Sequence, residues 1–468
     1  MVVWSKKALL RLSILRHRIQ EAERQSAILS DKLVQDLKLE EQGWSSGYYI
    51  KPNPKITVTS LFKGFWQMQD KGENCLRLWS LHTGMEVNQV LSKQAIAYRM
   101  NHRTVELVEQ VLKHTLQLKL NEHFLEQAAD ENIKFLVGKF RNVLLQDSTM
   151  QSLPVSVKDL YKAGNTQNKE MGMLRLQCVY NFTTQTWVDF KLGGFTNNDQ
   201  SEAMMITKTA QERDLILRDL GYSTLKSLTH LVKDQFIVTP WDKKSNMYCP
   251  ITKEHLPLLE LFKGKQEIDQ AILLGRKQQL PMRLVATKLP KAVVKKRIKS
   301  AKAKQTSSSN HSEEYYELLG WDIFLTNVDH VTLNPKQIGQ LYGLRWYIEI
   351  LFKAWKSHAN FTTMLGQKQM CYHRTIISIY LLLIRFVYCS LDIYHYIQQK
   401  VKEQTDDFIS ILKFHDVCKS LSAIILSISS LSDLDYLIPY FVKHATYEKR
   451  NQRLNMRQKY LYFKELQI

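Results

Sequence analysis

Leu174-Arg175-Leu176-Gln177-Cys178-Val179-Tyr180-Asn181-Phe182 and Thr186-Trp187-Val188-Asp189-Phe190-Lys191-Leu192 are two β-rich runs joined through Asn181–Gln185. The pairing reads as a hairpin. Upstream, Asn142–Leu145 is a short apolar run ending in Gln146-Asp147-Ser148-Thr149. Downstream, Asn197-Asn198-Asp199-Gln200 leads into a helical run to Arg213, with Asp199 and Glu202 spaced as a capping box. Asp214–Arg218 is another apolar strand, ending in Asp219-Leu220-Gly221-Tyr222; a helix over 224–233 and a strand Gln235–Thr239 follow. The order β-β-β-α-β-α-β predicts an α/β fold, with a mixed sheet and flanking helices.

The texture changes on either side. Between 241 and 333, strand candidates Arg283–Leu289 and Asp322–Asn327 alternate with polar segments. Lys288–Lys304 carries eight Lys or Arg and no acid, and runs into Gln305–Asn310. This reads as an inserted β-rich subdomain with a mobile basic loop. The one-signed charge suits phosphate contact; a solvated linker is the plainer alternative. Asn334, Pro335 and Gln337 then form a helix start, with a predicted run to Ser357. Beyond it the chain reads as helical to its end, with an apolar helix near 374–395.

Residues 1–135 also read as mostly helical, with Leu9, Leu12 and Ile19 at helical spacing. Ser92 is placed to cap a helix through Gln94, Ile96 and Arg99, and Thr104 the next; the pair fits a helix-turn-helix or two ordinary packing helices. The boundaries are therefore 1–135, 136–240, 241–333, 334–395 and 396–468. The length of 468 residues agrees with two to four domains.

Composition narrows the classes. Gly at 17 and Pro at 10 exclude collagen-like and Pro-rich disordered chains. The formal charge of +20 points to a polyanionic partner or an anionic surface. Six scattered cysteines without a CxxC make no disulfide framework and suit a reducing cytoplasm. Cys371 and His373 lack a second ligand pair for zinc. Lys6, Lys7 and Arg11 interrupt the early apolar stretch, so no signal peptide is expected. Thr375–Ile384 is short for a bilayer and reads as a buried helix, so no membrane partner is expected.

The chemistry concentrates on the predicted helix after Asn334. At 100° per residue Tyr342, Arg345, Glu349 and Lys356 share about 60° of arc, while Leu344, Ile348, Leu351 and Trp355 fall on the opposite side. A solvated face with an Arg345–Glu349 pair is the plain reading. Asp147 and Asp219, however, each follow an apolar strand run, where α/β sheets place their sites. If those strands are parallel neighbours, the two carboxylates repel, and a hard divalent cation such as Mg²⁺ or Mn²⁺ relieves the repulsion. Glu349 adds a third carboxylate. Three acids around two ions suit in-line phosphodiester cleavage.

Tyr342-Gly-Leu-Arg345-Trp-Tyr-Ile-Glu349 followed by Lys356 resembles the Tyr-Arg-Glu-Lys signature of one family of bacterial insertion-sequence DDE transposases, the insertion sequence four family. Asp147 in Leu-Leu-Gln-Asp-Ser-Thr and Asp219 in Leu-Arg-Asp-Leu-Gly-Tyr look like that family's first and second catalytic aspartates. The resemblance spans about residues 140–360. It implies an RNase H-like catalytic core interrupted by a β-strand insertion. It implies metal-dependent cleavage at terminal inverted repeats, a hairpin intermediate and strand transfer into target DNA. Asp147, Asp219 and Glu349 would be catalytic and hold two Mg²⁺ or Mn²⁺ ions. Tyr342, Arg345 and Lys356 would hold phosphates. Trp321, 21 residues before Tyr342, stands where relatives stack a flipped base, though a core Trp is the alternative. Double-stranded DNA is the implied partner. The N-terminal region would bind the repeats and the C-terminal helices would support a homodimer. A catalytically idle, inhibitory relative and another RNase H-like nuclease are the competing readings.

Overall fold

The computed structural model describes residues 31–51, 54–119, 138–164, 171–241, 246–303, 311–365 and 370–448. A nine-stranded mixed sheet forms the centre, in the order β3-β2-β1-β4-β5-β9-β8-β7-β6. Its strands are β1 Val143–Leu153, β2 Gly172–Asn181, β3 Thr186–Gly193, β4 Leu215–Arg218, β5 Phe236–Pro240, β6 Met247–Tyr248, β7 Glu267–Leu274, β8 Leu280–Lys288 and β9 Trp321–Thr326. The β2–β3 hairpin forms as read, with a register shift between Val179 and Tyr180. β1 pairs antiparallel with β2 and parallel with β4, and β4 pairs parallel with β5.

Alternation along the central strands divides the core. Val143, Leu145, Leu215, Leu217 and Val238 join one buried cluster; Leu144, Ile216 and Ile237 join the other. Strands buried on both faces need the unbroken apolar runs seen in β1 and β4. The first face carries helices α1 Val58–Asp70, α2 His102–Gln117, α5 Pro335–Gly343, α6 Trp346–Lys353 and α7 Tyr372–Tyr388. The second carries α3 Leu225–Leu231 and the region around Phe262 and Trp321. The remaining helix used below is α4 Lys291–Ala303.

Several expectations need correction. β1 does not stop before Asp147; it runs on to Leu153, because the polar stretch after Leu145 pairs with β2. The run from Asp199 to Arg213 is turns with one short 3₁₀ segment, Met205–Lys208. Its intended capping box is absent because Asp199 accepts from Ser148 and Glu202 pairs with Lys191 at 2.6 Å. The strands of 241–333, including β7, which sequence reading missed, continue the main sheet through β5–β9 pairing. The basic loop is helical over α4, with Gln305–Asn310 outside the described residues. Lys, Arg and Ala are strong helix formers, and Pro290 stands at its start.

At the N-terminal side Leu9, Leu12 and Ile19 lie outside the described residues. Ser92 caps Lys93–Ala97, whereas the cap of α2 is Asn101, which accepts from the Thr104 N–H. The apolar helix expected near 374–395 forms within a longer helical stretch, Tyr372–Thr405, kinked at Leu391; it is apolar enough to cross a membrane by length and composition, but 83% of its most apolar window is buried inside the protein. It serves as a core helix, with α7 packed on α1 and α2.

Candidate active site

Asp147 and Asp219 owe their closeness to strand register. β1 and β4 run parallel, with Gln146 opposite Arg218 as their last pair. Asp147 is the next residue of β1, and Asp219 is the first residue after β4. β4 ends there, opening a gap beside the continuing β1. Arg218 is fully buried and ties the end of β4 to the Ala203 carbonyl at 3.3 Å and the Ser227 hydroxyl at 2.9 Å. That anchoring sets where Asp219 leaves the sheet.

The second wall comes from α5 and α6. Asn334 and Gln337 form the expected capping box, with both bonds at 2.9 Å. The predicted single helix to Ser357 is interrupted. At Leu344 and Arg345 the backbone tightens to bonds three residues apart, and Ala354–His358 widens into a π turn. Leu344, Ile348, Leu351 and Trp355 still form the buried stripe. Glu349 sits in the first turn of α6.

The result is a cleft of about 500 Å³ lined by Asp147, Ser148, Asp219, Arg345, Glu349 and Lys356, with Phe352, Lys353 and Ser357. Arg345 spans it. Its Nη1 donates to Asp147 Oδ2 at 2.9 Å and its Nη2 to Glu349 Oε1 at 2.6 Å. The Tyr342 ring lies 5.7 Å from the guanidinium carbon and 4.9 Å from the Phe324 ring. Lys356 Nζ donates to the Met150 carbonyl at 2.6 Å. Six of the seven candidate residues thus converge. Trp321 does not: its indole is 9% exposed, packs 4.8 Å from Phe262, and belongs to the cluster on the opposite face of the sheet.

The supporting parts of Ser148, Asp199 and Gly221 escaped the sequence reading. The Ser148 N–H donates to Asp147 Oδ1 at 2.8 Å, and the Ser148 hydroxyl donates to Asp199 Oδ1 at 2.7 Å. Gly221 lets Asp199 approach, since a Cβ there would lie 2.8 Å from Asp199 Oδ2. No local pattern links positions 148, 199 and 221; only the folded sheet does.

Burial pushes the Asp147 carboxyl up to about 7, with Arg345 and the Ser148 N–H partly countering and Asp219 and Glu349 adding to the rise. In the unfolded chain the group titrates near about 4. The fold therefore holds the proton more tightly, and the stability this contributes is present below about pH 4 and lost as pH rises through about 7. Asp147→Asn removes the charge and keeps the shape. In EDTA at pH 8 it should be more stable than wild type by about 2–4 kcal/mol, with the gain vanishing near pH 4. Urea denaturation across this range checks it; equal pH dependence in the two proteins refutes it.

Three carboxylates offer hard oxygen ligands of the type Mg²⁺ and Mn²⁺ select. Among the described residues, though, no three His, Cys, Asp or Glu side chains form a ready cluster for one ion. The Arg345 guanidinium between Asp147 and Glu349 accounts for that: the acids are paired to an internal cation. By chemistry the three carboxylates suit a hard divalent ion, and Arg345 occupies the place between two of them.

Three acids and a row of cations thus gather in one cleft between the strand ends of a mixed sheet and a helix. Residues 138–376, half of the chain, match the family described as Transposase DDE domain, and the chain belongs to that family. It is 29% identical over 290 residues to the transposase for insertion sequence element IS231F of Bacillus thuringiensis subsp. israelensis, covering 57% of this chain and 59% of that protein. It is 26% identical over 299 residues to the transposase for insertion sequence element IS1151 of Clostridium perfringens, covering 58% and 61%. The chain thus spans about three-fifths of the length of these relatives. A cryo-EM structure of a piggyBac transposase synaptic complex with hairpin DNA covers 92% of this chain and 87% of its own at 8% identity and a TM-score of 0.42, a likeness too slight to argue from.

Proposed function

We propose that this chain is an insertion-sequence transposase of the Tyr-Arg-Glu-Lys type, cutting DNA at terminal inverted repeats and joining the freed ends to target DNA. The observation that carries the reading is the convergence of Asp147, Asp219 and Glu349 with Arg345 and Lys356 in one cleft within the family-matched segment. The order β3-β2-β1-β4-β5, antiparallel on one side of β1 and parallel on the other, supports an RNase H-like core.

In this reading Asp147, Asp219 and Glu349 hold Mg²⁺ or Mn²⁺, with two ions as the working number. Bound there, the metal lowers the pKa of an attacking water or 3′-hydroxyl and stabilises the leaving oxygen. The chain's residues do the positioning. Arg345 exchanges its carboxylate partners for a phosphate, which its planar fork matches. Lys356 supplies a point charge at the other end of the cleft, and Tyr342 backs the guanidinium. Water opens the first phosphodiester bond. The freed 3′-hydroxyl then attacks the opposite strand, giving a hairpin that is reopened before strand transfer. A homodimer would hold the two ends. Ser148 and Asp199 are positioning residues for Asp147.

The test is cleavage of labelled duplex carrying the element's own inverted repeats. Strand cuts leaving 3′-hydroxyl ends should form with Mg²⁺ and cease in EDTA. Repeat-specific binding without any cut in Mg²⁺ or Mn²⁺ defeats the enzymatic reading in favour of an idle relative.

A further inference from the structure

α4 is the most one-signed surface among the described helices. Lys291, Lys295, Lys299 and Lys302 are exposed and fall within about 80° of helical arc, a row roughly 16 Å long. Val294, Ile298 and Ala301 lie beside it on the packed side, where Ala301 is buried. Among the described residues no carboxylate forms an ion pair with any of the four lysines. Lys302 lies 5.8 Å from the Tyr316 ring centroid. Glu260 and Glu317 stand in the groove below Lys291 and Lys295, and Lys263 and Lys288 there offset them.

Topology places this row relative to the acids. Lys288 at the end of β8 pairs with Trp321 at the start of β9, and Pro240 at the end of β5 pairs with Phe324. β5 in turn runs parallel to β4. The chain therefore enters α4 at the same end of the sheet where Asp219 leaves β4, over the face that carries Phe262 and Trp321. Three strand spacings separate β4 from β8, about 14 Å, or roughly four base-pair steps of duplex. Arg297 fixes the helix to that end: its Nη1 donates to the Trp321 carbonyl at 3.2 Å and its Nη2 to Asp322 at 2.6 Å.

We infer that α4 is a phosphate-tracking rail for the DNA flanking the cut, with the Lys291–Lys302 row lying along the backbone of the duplex whose scissile phosphate occupies the acidic cleft. This rests on the transposase reading above. A duplex is favoured over an anionic membrane because the row starts at the same end of the sheet as the acidic cleft. The lysines carry no base-reading geometry, so the contribution is independent of sequence and sets affinity and path.

The experiment measures binding of the full chain to a labelled mixed-sequence duplex over a salt series, for wild type and for the variant with Lys291→Gln, Lys295→Gln, Lys299→Gln and Lys302→Gln. Every phosphate that the protein no longer neutralises lowers the slope of log affinity against log salt by about 0.9. The variant should lose about 3–4 from the slope and roughly 10–100-fold in affinity near 100 mM salt. The four Lys→Arg changes should restore the slope. Should the fourfold Gln variant not fold, the Lys295→Gln/Lys299→Gln pair should show about half the loss. A slope unchanged by Gln substitution overturns the rail alone, as does stronger wild-type binding to phosphatidylserine vesicles than to duplex. Wild type that binds no duplex at any salt, its own repeats included, overturns the transposase reading itself.

Discussion

Asp147→Asn, Asp219→Asn and Glu349→Gln should each reduce end cleavage by at least about 10³-fold in Mg²⁺, a loss of about 4 kcal/mol of transition-state stabilisation. Each change preserves side-chain shape and removes one charged oxygen donor. Repeat binding should stay within a few-fold of wild type, because none of the three acids contributes attraction to phosphate. The measurement is single-turnover cleavage beside anisotropy titration on the same duplex. Asp147→Asn carries a second signature. A carboxyl raised to about 7 by burial is a charge the fold tolerates poorly, so the inactive variant should be the more stable one above neutral pH. Cleavage by any one variant at near wild-type rate removes that residue from the site. Loss of folding together with cleavage would assign that residue a structural part instead.

Much of the core was legible because its signals are local. The β2–β3 hairpin, the apolar runs of β1 and β4, and the Asn334–Gln337 box are decided by residues within a few positions of one another. What escaped depends on distant partners. Nothing near Asp199 tells that Ser148 will claim its carboxylate, or that Gly221 will give it room. β7 alternates apolar and polar residues weakly and gains strand form from pairing with β8. In α4 the dense positive charge points to a loop, while the Lys, Arg and Ala content favours the helix that forms.

The helix face shows both sides of this. Equal rotation per residue predicts the row from Tyr342 to Lys356, yet the real path tightens at Leu344–Arg345 and widens at Ala354–His358. A 3₁₀ turn rotates the chain further per residue and a π turn less far, so the two departures oppose each other. Lys356 stays in the cleft with Arg345 and Glu349. Spacing on a regular helix thus puts Arg345, Glu349 and Lys356 on one side, and the real backbone does so by a different path.

Arg345 gives the most discriminating single substitution, because three roles assigned to it predict different losses. It pairs with Asp147 and Glu349 in the free protein, it stands where the proposed divalent ion would sit, and it is proposed to grip a phosphate when DNA enters. At an effective dielectric of 20, a unit charge about 4 Å from a carboxylate is worth about 4 kcal/mol, so its removal should make the cleft a better cation site. Arg345→Ala should bind Mn²⁺ at least about 10-fold more tightly than wild type without DNA, read by the electron paramagnetic resonance signal of free Mn²⁺. The same variant should cleave roughly 10²–10³-fold more slowly, since the fork that fixes the phosphate is gone. Arg345→Lys separates charge from shape: it should keep Mn²⁺ affinity near wild type and still lose cleavage, because a point charge does not reproduce two parallel hydrogen bonds. If Arg345→Ala binds Mn²⁺ no better than wild type, the guanidinium does not compete for the acids. If Arg345→Lys cleaves normally, charge alone suffices and the proposed grip on the phosphate is wrong.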